Sequence, residues 1–133
     1  MRIVVMILLL VGAHFAGTAF VPGQRATVIW PFSAESRPVL AGIGGLPSQS
    51  GSVASPLLAG LAVLAFAGAF AALIGVVVPA VWFVPLVVAG SLGSIALFLL
   101  FAGPWAALPI MVDVILLWGV LGLHWTAPLL RGG

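Results

Sequence analysis

The sequence predicts an all-α integral membrane protein, a bundle of four transmembrane helices, and three observations carry that prediction. Leu57 to Ala102 is a run of 46 residues with no charge and only two hydroxyls, Ser91 and Ser94. Only 5% of the 133 residues are charged, against roughly 25% in a soluble domain. Proline and glycine breaks cut the apolar sequence into pieces of about 18–23 residues, long enough to span a hydrocarbon core about 30 Å thick. A chain this short cannot bury such a run on every side, so its solvent is lipid.

The first span reads Ile3–Phe20 and ends at Val21-Pro22-Gly23. Met1-Arg2 before an apolar run resembles a signal peptide, with Ala16-Gly17-Thr18-Ala19 as a small-residue cleavage region. The run nevertheless continues to Phe20, long enough to cross, so a retained helix is expected. Residues 21–54 differ in composition: four prolines, Arg25, Glu35 and Arg37, and the stretch Ser48-Gln49-Ser50-Gly51-Ser52. They read as a loop outside the bilayer, with Trp30 at headgroup level. The second span, about 56–77, starts at Ser55-Pro56, serine as cap and proline in the first turn. Pro79 marks the next turn. The third span covers about 80–102 and Gly103-Pro104 ends it; the fourth covers about 105–125 and ends at Thr126-Ala127-Pro128. Residues 1–133 form one membrane domain. Turns this short make the last three helices sequential antiparallel neighbours.

Small residues mark where helices approach closely in lipid. Gly60, Ala67, Gly68, Ala71 and Ala72 stripe the second span; Ala89, Gly90, Gly93 and Ser94 the third; Gly119 and Gly122 the fourth. Trp30, Trp82, Trp105 and Trp125 fall at interfaces, while Trp118 is expected in packing.

Several chemistries are excluded. Basicity rests on four arginines and a net charge of +2, with no basic stripe for nucleic acid. Cysteine is absent, so there is no disulfide, thiolate nucleophile or cysteine-held cluster in this sequence. Two histidines and two carboxylates form no metal-spaced group, and no catalytic, phosphate-binding or dinucleotide motif occurs. No helix repeats polar groups along one face as a channel would.

Asp113 is the most informative residue. Near the middle of a spanning helix it costs about 2.5–3.5 kcal/mol to insert, so it should face protein. His14 falls at a similar depth, and the two are the candidate intramembrane pair. One reading is a proton-linked or quinone-binding site. The other is a buried hydrogen bond that sets helix register, with Ser91, Ser94 or a backbone carbonyl as partner. His124 shares a helix face with Asp113 three turns away, and His124-Trp125 reads as an interface anchor. Under this topology His14 and His124 lie toward opposite faces, so one haem cannot bridge them. Arg25, Trp30, Glu35 and Arg37 are expected to meet headgroups or partner surfaces.

Gly12-Ala13-His14-Phe15 late in the first helix, a proline-containing loop, and three closely spaced helices with an acid in the last together resemble the DoxX-like small four-helix membrane proteins. The resemblance implies a four-helix bundle in a prokaryotic plasma membrane, with quinone-dependent redox links in some members, and His14 as the matched position.

Arginines count two against two across the membrane, Arg2 and Arg131 opposite Arg25 and Arg37; the long loop favours export, which places both termini in the cytoplasm. The expected function is a non-catalytic subunit packed against other membrane protein subunits in an energy-transducing or transport assembly. The alternative is a DoxX-like quinone- or redox-associated protein using His14 and Asp113.

Overall fold

A computed structural model describes residues 1–20, 29, 37–38, 48–102 and 105–132. The helices are α1 (Arg2–Gly17, extended by a 3-10 turn Thr18–Phe20), α2 (Ser48–Ile74), α3 (Phe83–Leu100, preceded by a 3-10 turn Ala80–Trp82), α4 (Ala107–Leu117, continued by a π turn Trp118–Gly122) and α5 (Ala127–Gly132). Three of these are long and apolar enough to cross a membrane: Arg2–Phe20, Pro56–Ile74 and Ala80–Leu100; Ala107–Gly122 is a shorter apolar helix. By length and composition this is a membrane protein.

The helices run antiparallel in sequence. Gly12 of α1 faces Phe66 of α2, Gly17 faces Val63, and Phe20 faces Gly60. Likewise Gly68 of α2 faces Leu86 of α3, Phe66 faces Gly90, and Leu61 faces Gly93. As one number rises the other falls. Phe66, fully buried, is the knob at the centre. One edge of its ring lies against Gly12 and the opposite edge against Gly90, so a single side chain fills the space that two glycines leave between three backbones. This is how helices associate where solvent gives no hydrophobic push.

Each helix is apolar on both faces. In α1, Val5, Leu9, Gly12 and Ala16 are buried at helical spacing while Ile3, Val4, Ile7 and Leu10 are exposed. Leu57, Leu61 and Leu64 of α2 and Met111, Val114 and Ile115 of α4 are likewise exposed. An aqueous surface would carry charge at such positions; lipid does not require it.

Element ends differ from the sequence expectation in four places. First, α2 begins at Ser48 and not at Pro56, which lies inside it. Proline lacks an amide donor and so removes one hydrogen bond, but the residues before it still close a turn. Second, α3 stops at Leu100, and Phe101–Ala102 form a two-residue strand, β2. It pairs antiparallel with β1 (Arg37–Pro38), Arg37 opposite Ala102 and Pro38 opposite Phe101. That ties part of the long loop to the end of α3, and Pro38, without an N–H, limits the ladder.

Third, α4 and its π turn end at Gly122, so His124 lies beyond the helix. Its phase relation to Asp113 therefore does not hold. The Leu123 amide bonds Trp118 O at 3.0 Å and the Trp125 amide bonds Gly119 O at 2.9 Å, with His124 in the left-handed region at φ 55°. Chain reversal needs this conformation, which carries the Trp125 indole back onto the bare backbone of Gly119. Fourth, a short helix, α5, begins at Ala127, inside the Thr126-Ala127-Pro128 break. Thr126 Oγ1 accepts from the Leu129 amide at 3.3 Å, capping α5, whose Ala127 and Leu130 are buried.

The small-residue stripes are partly inter-helix contacts. Gly68, Gly90 and Gly93 receive Leu86, Phe66 and Leu61, and Ala72 is buried. Ala67, by contrast, is exposed, and Gly119 and Gly122 receive Trp125 and Trp118 of their own segment. Trp118 is 67% exposed, so it covers Gly122 and otherwise faces outward, not into the bundle as expected. Trp82 and Trp105 are exposed at helix ends, where an aromatic belt places them.

Candidate functional site

The candidate site is the buried polar patch where α3 meets α4. Asp113 lies six residues after Ala107, about 9 Å along the helix axis. It is fully buried, and so are Ser91 and Ser94 of α3. The serines are three residues apart and share one face of α3, with Gly90 and Gly93 beside them thinning the helix. Ser94 is the hydroxyl that reaches toward the Asp113 carboxyl, yet neither achieves hydrogen-bond geometry. Both Asp113 oxygens and both serine oxygens are without a hydrogen-bond partner among the described residues. Four buried oxygens, one pair of them a carboxyl, thus lie on α3 and α4 without a hydrogen-bond partner among the described residues, with Ser91 one turn from Ser94 on α3. Sealing such groups from water is costly.

The His14–Asp113 pair expected from their similar depths is not made. His14 lies on an exposed part of α1, and its Nε2 is 2.7 Å from the carbonyl oxygen of Ile29. A carbonyl only accepts, so Nε2–H is the donor. His14 ties the long loop to the end of α1, whereas Asp113 makes no hydrogen bond to it. Residue count along each helix does not give facing, which depends on how the helices rotate.

Of the expected interface residues, His124 is exposed and Trp125 is half-buried against Gly119. Arg37 contributes backbone pairing to β2. Arg25, Trp30 and Glu35 lie outside the described residues. Among the described residues no three histidine or acidic side chains could hold a metal together.

A further polar device went unread in the sequence. α2 ends at Ile74, where Gly75 turns left-handed at φ 83°. The Gly75 and Val76 amides both donate to Ala71 O at 3.0 Å, closing the helix as glycine caps do. The next two carbonyls would be left bare. Arg131 covers them, Nε donating to Leu73 O at 2.9 Å and an Nη to Ala72 O. A guanidinium at a helix C-terminus also complements the negative end of the dipole. The contact brings the C-terminal helix to the end of α2, on the same side as the start of α1.

Outside the polar patch, the groove of about 390 Å³ along α4 is lined by Val114, Leu117, Trp118, Leu121 and Gly122. All five come from one helix, and none carries a group able to do acid–base chemistry. No family model matches the chain, and neither the curated proteins nor the solved structures gave a match.

Proposed function

We propose that this chain is a multi-pass membrane subunit without catalytic activity of its own, working inside a larger energy-transducing or transport assembly. The observation that carries the reading is the placement of polarity. Among the described residues the outward faces of α1 to α4 are apolar apart from His14, and the one carboxyl of those helices is buried where α3 meets α4, with the Ser94 hydroxyl reaching toward it. An enzyme needs a path by which substrate meets reactive groups. An ionisable residue kept at membrane depth is instead the mark of ion or proton handling.

In this reading α4 completes a fourth crossing. Its 16 residues from Ala107 to Gly122 reach about 24 Å, short of the hydrocarbon thickness by an amount that local thinning accommodates. Both termini face the cytoplasm of a prokaryotic cell, with the long loop exported.

The test is purification from its native membrane in mild detergent. The expected result is a complex of constant stoichiometry through successive sizing steps, with no absorbing cofactor on this chain. A monodisperse isolated chain carrying a quinone would overturn the proposal in favour of the DoxX-like redox alternative.

A further inference from the structure

We propose that Asp113, Ser91 and Ser94 form a binding site for a small monovalent alkali cation, of the Na⁺ or Li⁺ class. Three side chains on two adjacent helices supply four oxygens, all fully buried and all without a hydrogen-bond partner among the described residues. Ser91 and Ser94 lie one helical turn apart on the face that meets Asp113, and Ser94 already reaches toward its carboxyl.

The donor chemistry selects the ligand. Oxygen donors with no sulfur or imidazole among them suit a hard cation, not a transition metal. One carboxylate sets the charge: a monovalent ion neutralises it, whereas a divalent ion would leave a net positive charge in a low-dielectric interior. A bound proton gives the carboxyl one donor and leaves the remaining oxygens as they are. A cation engages all of them together.

Among the described residues α2, α3 and α4 supply no competing positive charge. Among the described residues α2 and α3 hold no titratable side chain, and α4 holds none but Asp113. α1 carries Arg2 at its start and His14 near its end, the latter bonded to Ile29. Arg131 is engaged on the carbonyls of Ala72 and Leu73.

The experiment labels the full-length protein in detergent with dicyclohexylcarbodiimide, which enters apolar sites and modifies protonated carboxyls, and reads Asp113 by peptide mass. Chloride salts of sodium, lithium, potassium and choline are compared at one pH and one ionic strength. The expected result is labelling that falls about tenfold when Na⁺ reaches ten times its dissociation constant, as occupancy dictates. Li⁺ should protect similarly and choline not at all. Ser94→Ala should shift the protecting Na⁺ concentration upward, measured against the same variant's own labelling in choline. Equal labelling in all four salts, or none in any, overturns the site, and the wild-type salt series decides this even if the variant does not fold. Salt-independent labelling in a protein that still co-purifies with partners rejects the cation site alone. Na⁺ protection in a chain that purifies without partners rejects the subunit reading alone.

Discussion

Phe66 between Gly12 and Gly90 gives the sharpest test of how the bundle holds together. A Cβ added at Gly90 would lie 2.9 Å from Phe66 Cδ1 and 3.0 Å from Cε1. The ring cannot retreat, because a Cβ position at Gly12 is already only 3.0 Å from Cε2 on the opposite edge. Overpacking of this kind costs about 1–3 kcal/mol, while alanine in a helix recovers about 0.5–1 kcal/mol relative to glycine. Gly90→Ala is therefore expected to destabilise by about 1–2 kcal/mol. At Gly60 the nearest atom is Phe20 Cζ at 3.8 Å, an ordinary contact, so Gly60→Ala should be neutral or slightly stabilising. The assay is denaturant-induced unfolding in detergent followed by tryptophan fluorescence. Adding Phe66→Leu should erase most of the Gly90→Ala cost, a coupling of about 1 kcal/mol between touching residues. If Gly90→Ala is as stable as Gly60→Ala, or its cost is the same with leucine at 66, the three-helix wedge is wrong.

Arg131→Met keeps the aliphatic stem but uncovers two carbonyls of α2. It should cost about 1–2 kcal/mol and make α5 more accessible to carboxypeptidase, and unchanged digestion would contradict the cap. Val77 is a β-branched residue at φ 62°, 96% exposed, in a tight turn closed by the Val78 amide on Val76 O at 2.6 Å. Val77→Gly removes that strain and should stabilise by about 1 kcal/mol in the same unfolding assay; a loss of stability would show that the valine side chain contributes packing. Asp113→Leu replaces an unpartnered buried carboxyl with an apolar group. Stability should hold or rise by about 1–2 kcal/mol while the activity of the host assembly falls, and a large loss of stability would mean that Asp113 has a structural partner.

The bundle was legible because its cause is local. Uncharged runs bounded by Pro79 and Gly103-Pro104 set spans and turns, and Gly68, Gly90 and Gly93 marked contact faces. Gly12, inside the Gly-Ala-His-Phe stretch, receives Phe66 as Gly90 does. What stayed hidden depended on rotation or on distant pairing. His14 and Asp113 were paired by residue count, but no hydropathy pattern tells which way either points when every face is apolar. Ser94, named only as one of several partners for Asp113, is the hydroxyl that approaches it. The Arg131 cap joins residues 58 and 59 positions apart, beyond the reach of any local motif. The helix break after Gly122 is written in Gly119, whose missing side chain admits Trp125.

Because the chain holds no cysteine, single cysteines can report its path through the bilayer without background. Val77→Cys, Trp105→Cys and Gly132→Cys would be treated with an impermeant maleimide on sealed, oriented vesicles. Four crossings require Val77→Cys and Gly132→Cys to react from one side and Trp105→Cys from the other. Reaction of Val77→Cys and Trp105→Cys from the same side would mean that α3 does not cross, and the buried carboxyl would lose its membrane setting.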